Sequence, residues 1–216
     1  EFLNNVGRNR LGDALAKSID EGAKLSIISS YFTVFAFSEL KEELEKVDSV
    51  RFLFSEPTFV KRMASDKDPR QFAISQCSRE RGVGGLGLEL TLRNNLNQRA
   101  IARECAEWVR AKCEFQSAKM NGAIQPGGTY IVENPNGEDH AFMGAAADFT
   151  QEGLGYERRP NTVMGVSHYE GATETAGLKA MFESVWDKPA MVADVTDEVA
   201  AQVGTLYREN PPEFVY

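Results

Sequence analysis

Residues Phe115–Leu154 read FQSAKMNGAIQPGGTYIVENPNGEDHAFMGAAADFTQEGL. The stretch predicts strand, turn, strand, loop, strand, and then a turn into a short helix. Met120–Ile124, Thr129–Val132 and Ala141–Met143 are its short apolar or β-favouring runs. Between them stand Pro126-Gly127-Gly128 and Asn134-Pro135-Asn136-Gly137, residues that preset φ or accept positive φ and so make turns. After Met143 the small residues Gly144 to Ala147 let the backbone lie close to another chain or a ligand. Asp148, followed by Gln151 and Glu152, suits a helix start, where a side-chain oxygen accepts free backbone N–H groups.

Upstream, Gln98–Lys112 predicts a helix with Ile101, Cys105, Trp108 and Val109 on one stripe, leading into the strand that holds Ser117 and Lys119. Further back, Lys24–Thr33 and Ser49–Ser55 read as strands, with a helix marked by Phe37, Leu40, Leu44 and Val47 between them. Such a β-α-β run favours a parallel pair with a right-handed crossover. Leu11–Gly22 has helical spacing as well. Downstream come a polar loop over Tyr156–Asn161, a strand Thr162–Tyr169, a helix Glu174–Trp186 closed by Asp187-Lys188-Pro189, and a helix capped by Thr196 and running through Val199, Val203, Leu206 and Tyr207. Between about residues 60 and 96 the text is Gly- and Arg-rich. Gly82–Gly87 lacks the Gly-Lys-Ser/Thr ending of a phosphate loop, so this part reads as a mobile insertion whose basic residues form a solvated face or, alternatively, touch DNA backbone.

A chain of 216 residues with 13 Phe supplies the core of a single α/β domain, here residues 1–208. A formal charge of −8 excludes a surface that grips nucleic acid everywhere, though not a local basic patch. Cys77, Cys105 and Cys113 form no even framework and no C-x-x-C, which fits a reduced, cytoplasmic setting. No apolar run is long enough to span a membrane, so no membrane partner is expected. His140 and His168 read as an edge histidine and a half-buried one, and no His/Cys/Asp/Glu group has metal-ligand spacing.

Ser117-Ala118-Lys119-Met120 and Ala145-Ala146-Ala147-Asp148-Phe149-Thr150-Gln151-Glu152-Gly153-Leu154 together resemble the half-site of the phospholipase D superfamily. There, a strand carries His-x-Lys and a later one ends in Gly-Ser-x-Asn-Phe-Thr-x-x-Gly-Leu. The resemblance implies an α/β/α sandwich with a mixed, largely parallel central sheet flanked by helices. It also implies a metal-independent phosphodiesterase centre, from which this sequence departs. Ser117 stands at the nucleophilic histidine, Ala146 at the serine, Asp148 at the asparagine, and Asn161 where an acidic residue is common. Lys119 alone is unchanged. A serine without a base is a poor nucleophile at neutral pH, and Asp148 sets negative charge where phosphate would bind. The implied centre is therefore dismantled, with Lys119, Arg158 and Arg159 left as phosphate-contacting candidates.

Glu209–Tyr216 looks like the join in bacterial Swi/Snf-type helicases, where a phospholipase D-like domain precedes the motor. Leu3-Asn4-Asn5, Leu11–Leu15 and Phe54–Phe59 are similar to those domains too. On this resemblance, residues 209–216 begin a linker to a helicase motor. ATP and Mg belong to that part, and no cofactor to this one. The implied role is a degenerate accessory domain that docks DNA or self-associates. Active one-site members pair two subunits across a two-fold axis, so a homodimer across the former site is expected. Its other expected partners are DNA and the rest of the parent chain. Two alternatives stand beside it: a working metal-independent nuclease using Lys119 and His140, and a purely structural protein-interaction domain.

Overall fold

The structure, a computed structural model, describes residues 1–5, 7, 9–57, 87–125, 127–157 and 165–208, with residues 87–99 and 205–208 described by their backbone alone. The chain opens with strand Phe2–Leu3 (β1) and helix Leu11–Ser18 (α1). Strand Lys24–Ser29 (β2), helices Val34–Glu39 (α2) and Lys41–Leu44 (α3), and strand Ser49–Phe54 (β3) follow. Helix Gly87–Lys112 (α4) runs directly into strand Cys113–Ala118 (β4). Strands Gly128–Glu133 (β5) and His140–Gly144 (β6), helix Gln151–Leu154 (α5) and strand Val166–Glu170 (β7) come next. Helix Ala172–Trp186 (α6), strand Val192–Asp194 (β8) and helix Thr196–Arg208 (α7) complete the described chain.

All eight strands join one mixed sheet in the order β1-β7-β6-β5-β2-β3-β4-β8. The expected parallel β2–β3 pair is present, and β4 extends it in parallel. The expectation of a largely parallel sheet is corrected, because the other five ladders are antiparallel. A short turn links β5 to β6, and a strand that returns to its neighbour through a few residues must run antiparallel to it.

Period-two alternation splits the core between the two sheet faces. One face carries Leu25, Ile27, Phe52, Phe115, Tyr130 and Phe142 and packs against helices that bury Leu11, Leu15, Phe37, Trp108, Val199 and Val203. Cys105 and Cys113 lie in this core as buried free thiols, and burial raises the pKa of each. The other face carries Ile28, Leu53, Ala118, Ile131 and Ala141 and is covered by Phe182 and Trp186 of α6. Arg51 of β3 pins that helix. Its guanidinium grips Glu183 with two hydrogen bonds of 2.7 and 3.0 Å, donates to Ser26, and lies over the Phe182 ring.

Several boundaries differ from expectation. The predicted helix over residues 37–47 is two short helices, because Leu40 leaves helical geometry (φ −115°, ψ 15°) while its side chain stays buried. Met120–Ile124 is turn rather than strand, since Asn121-Gly122 supplies turn chemistry directly after β4. The predicted insertion over 60–96 is shortened at its end, for α4 already begins at Gly87. Residues 58–86 lie outside the described residues.

Candidate functional site

Because β2, β3, β4 and β6 point the same way, their C-terminal ends meet at one edge of the sheet. In α/β sheets this is where ligands usually bind. Ser29, Phe54 and Ser117 lie in register across it, so Ser117 sits two strands, roughly 10 Å, from Ser29.

Ser117 is fully buried, and its hydroxyl lies within reach of two main-chain oxygens, Glu56 O at 3.1 Å and Ala118 O at 3.3 Å. No imidazole touches it. Lys119 lies just beyond β4, exposed, with its ammonium donating to Pro189 O. Its backbone N–H donates to Met191 O, which ties the end of β4 to the β8 side of the sheet, away from Asp148. Ala146 is exposed and brings no polar group. Asn161, Arg158 and Arg159 lie outside the described residues.

Asp148 does not cap the short helix as expected; Thr150 does, accepting the Gly153 N–H. The Asp148 carboxylate instead reaches back to the end of β2. Its Oδ1 accepts the Ser30 N–H at 2.8 Å. The Ser29 hydroxyl, 3.0 Å from the same oxygen and 2.8 Å from Tyr31 O, divides its one proton between them and accepts the Phe149 N–H. Ser30 and Ser55 hydroxyls pair at 2.8 Å. A polar seam thus runs along the edge from Asp148 through Ser29, Ser30 and Ser55 toward Ser117.

The neighbouring Phe149–Leu154 segment is fixed by packing. Phe149 is fully buried, stacked on Phe32 and edge-on to Phe52. A Cβ at Gly153 would stand 2.0 Å from Asp148 O, and one at Gly128 would stand 1.6 Å from Ala147 O. Tyr130 donates to Ala147 O from below, its phenol pKa raised by burial and by Asp148. Neither a model of a protein family nor a curated protein matches this chain.

Among the described residues, the edge is acidic and partly apolar. Glu39, Glu56, Asp148 and Glu152 belong to it or to the helices beside it, against Lys119. Tyr31, Met120 and Met143, three of the large apolar side chains that stay exposed among the described residues, all lie at or just past the ends of β2, β4 and β6.

His140 is not part of this edge. It opens β6, roughly 13 Å along the strand from Gly144, and β5, β2 and β3 separate β6 from β4. It meets His168 instead, Nδ1 to Nε2 at 3.2 Å, with Glu170 3.5 Å from His168 Nδ1. Burial holds His168 below the ordinary histidine value, with Glu170 opposing and His140 assisting. The expectation that no such residues have metal-ligand spacing is revised here. The three donor atoms lie within 4.8 Å of one another, joined across a strand pair rather than within a short motif. No helix among the described residues is long and apolar enough to cross a membrane.

Proposed function

We propose that this chain is a phospholipase D-like domain that has lost its catalytic centre and acts by docking, as an accessory domain of a Swi/Snf-type helicase. One observation carries the reading. At the edge where such a centre would lie, the polar side chains that stand at the matching positions 117, 119 and 148 are committed to the protein itself. Ser117 is buried against main-chain oxygens, Lys119 turns to Pro189, and the Asp148 carboxylate holds the end of β2. Attack on phosphorus needs a nucleophile with a base beside it, and leaving-group departure needs an acid. His140 supplies neither at this edge, which weighs against the nuclease alternative.

The sequence holds one His-x-Lys-like position, and one-site relatives of this kind work in pairs. Exposed Tyr31, Met120 and Met143 among carboxylates favour a protein surface over a phosphate backbone. The occupant we take is a second copy of the chain, related by a two-fold axis.

The reading is tested with DNA and bis-p-nitrophenyl phosphate in EDTA from pH 6 to 8. No turnover is expected. Turnover that Lys119→Ala abolishes would establish a working centre and overturn the reading.

A further inference from the structure

On the face of the sheet that packs against α1, the β6–β7 ladder sets His140 opposite Glu170 and Phe142 opposite His168. Residues two apart on a strand share a face, so these four side chains form one cluster. The His168 ring is stacked on Phe142 with centroids 4.2 Å apart and planes 8° from parallel, which fixes its orientation. His140 closes over it, placing its Nδ1 3.2 Å from His168 Nε2.

We propose that His140, His168 and Glu170 form a binding site for a divalent transition metal of the zinc type. Two nitrogens bound to zinc at ordinary length, in tetrahedral geometry, stand about 3.3 Å apart, and the two imidazole nitrogens already stand 3.2 Å apart. One ligand atom from each of the three residues lies within 4.8 Å of the others. The Glu170 carboxylate now stands 3.5 Å from His168 Nδ1, and its exposed side chain has to swing to the Nε2 side to complete the set. Two imidazoles and a carboxylate make a borderline-soft donor set suited to zinc rather than to calcium or magnesium. Glu1, Glu170 and Glu174 line the cavity beside His168, and the terminal ammonium of Glu1, which donates to His168 O, offsets one of these three carboxylates. A fourth position is left to water or to a side chain of a docked partner. The site is remote from the Ser117 edge and does not rest on the function proposed above.

The test uses the chain without a polyhistidine tag, stripped with a chelator and titrated with Co2+. Visible absorption and equilibrium dialysis report binding, and Zn2+ serves as competitor. One Co2+ per chain is expected, with tetrahedral d–d bands that Zn2+ removes. His140→Ala and Glu170→Gln both change exposed or half-exposed groups, and each is expected to weaken binding at least ~10-fold. Thermal melts give a second readout: Zn2+ should raise the Tm of the wild-type chain and leave that of His140→Ala unmoved. Absence of saturable Co2+ binding, or equal affinity in His140→Ala, overturns the proposal.

Discussion

On the proposed reading, Asp148 stands where a phosphodiesterase would carry a neutral amide, and its carboxylate performs a different task. It accepts the Ser30 N–H across 118 residues of sequence. Removing it strands that N–H at the protein edge, and an unpaired group there costs about 2 kcal/mol. Asp148→Ala is therefore expected to lower unfolding stability by that amount in equilibrium urea titration. Asp148→Asn, which keeps an oxygen in place, should lose less than half of it. Equal losses in the two variants would mean that the charge matters and the acceptor does not. The identities at 117, 119, 146 and 148 were legible in the sequence, and they carried the inference of lost chemistry. The partner of Asp148 was not legible. Capping residues and long-range acceptors are the same residue types, and only the fold decides which N–H groups an oxygen meets. The His140–His168–Glu170 cluster was hidden in the same way, because strand pairing assembles it.

Helix α6 shows how an element can be read without its fastening. Its apolar stripe through Phe182 and Trp186 was visible as helical spacing, yet Arg51 lies 132 residues from Glu183 and gave no sign of the pairing. The hydrogen bonds from Arg51, opposed by partial burial, set the Glu183 pKa below the ordinary carboxylate value. A carboxylate whose pKa is lower in the folded state than in the unfolded one stabilises fully above the unfolded value. That contribution is lost as pH falls through the folded value. Stability is thus expected to drop in acid, below the ordinary value of 4.5, and this part of the drop should be absent in Glu183→Gln. Arg51→Ala should cost about 2 kcal/mol at neutral pH, reduced by water because 35% of the Glu183 side chain is exposed. Urea titrations across pH check both expectations. Other elements were clear from their periodicity, including the β2–β3 crossover and the start of α7. Three-residue β8 was not, since so short a strand carries no period and exists only by pairing with β4.

For the whole molecule, the docking reading makes a statement about mass and salt. Sedimentation is expected to show dimers whose fraction rises with concentration, and Tyr31→Glu together with Met120→Glu should return monomers. Fluorescence anisotropy with a DNA duplex should show only weak binding that salt abolishes, in line with a charge of −8. A monomer at high concentration with tight duplex binding would reverse the choice of partner. The α/β class and the alternation of elements were readable from the order of strand and helix signals. The balance of parallel and antiparallel pairs was less so, since it depends on which edge of the growing sheet each new strand joins. One feature at this edge reaches beyond the single chain. Phe149, Thr150, Gly153 and Leu154 are each held by a ring stack, a cap, a close backbone approach or full burial. Selection for folding alone is enough to keep such a segment, whatever becomes of the chemistry beside it. On the function proposed above, a count of nucleases made by this segment would gather chains that cut nothing, and positions equivalent to 117 and 148 are the ones to score.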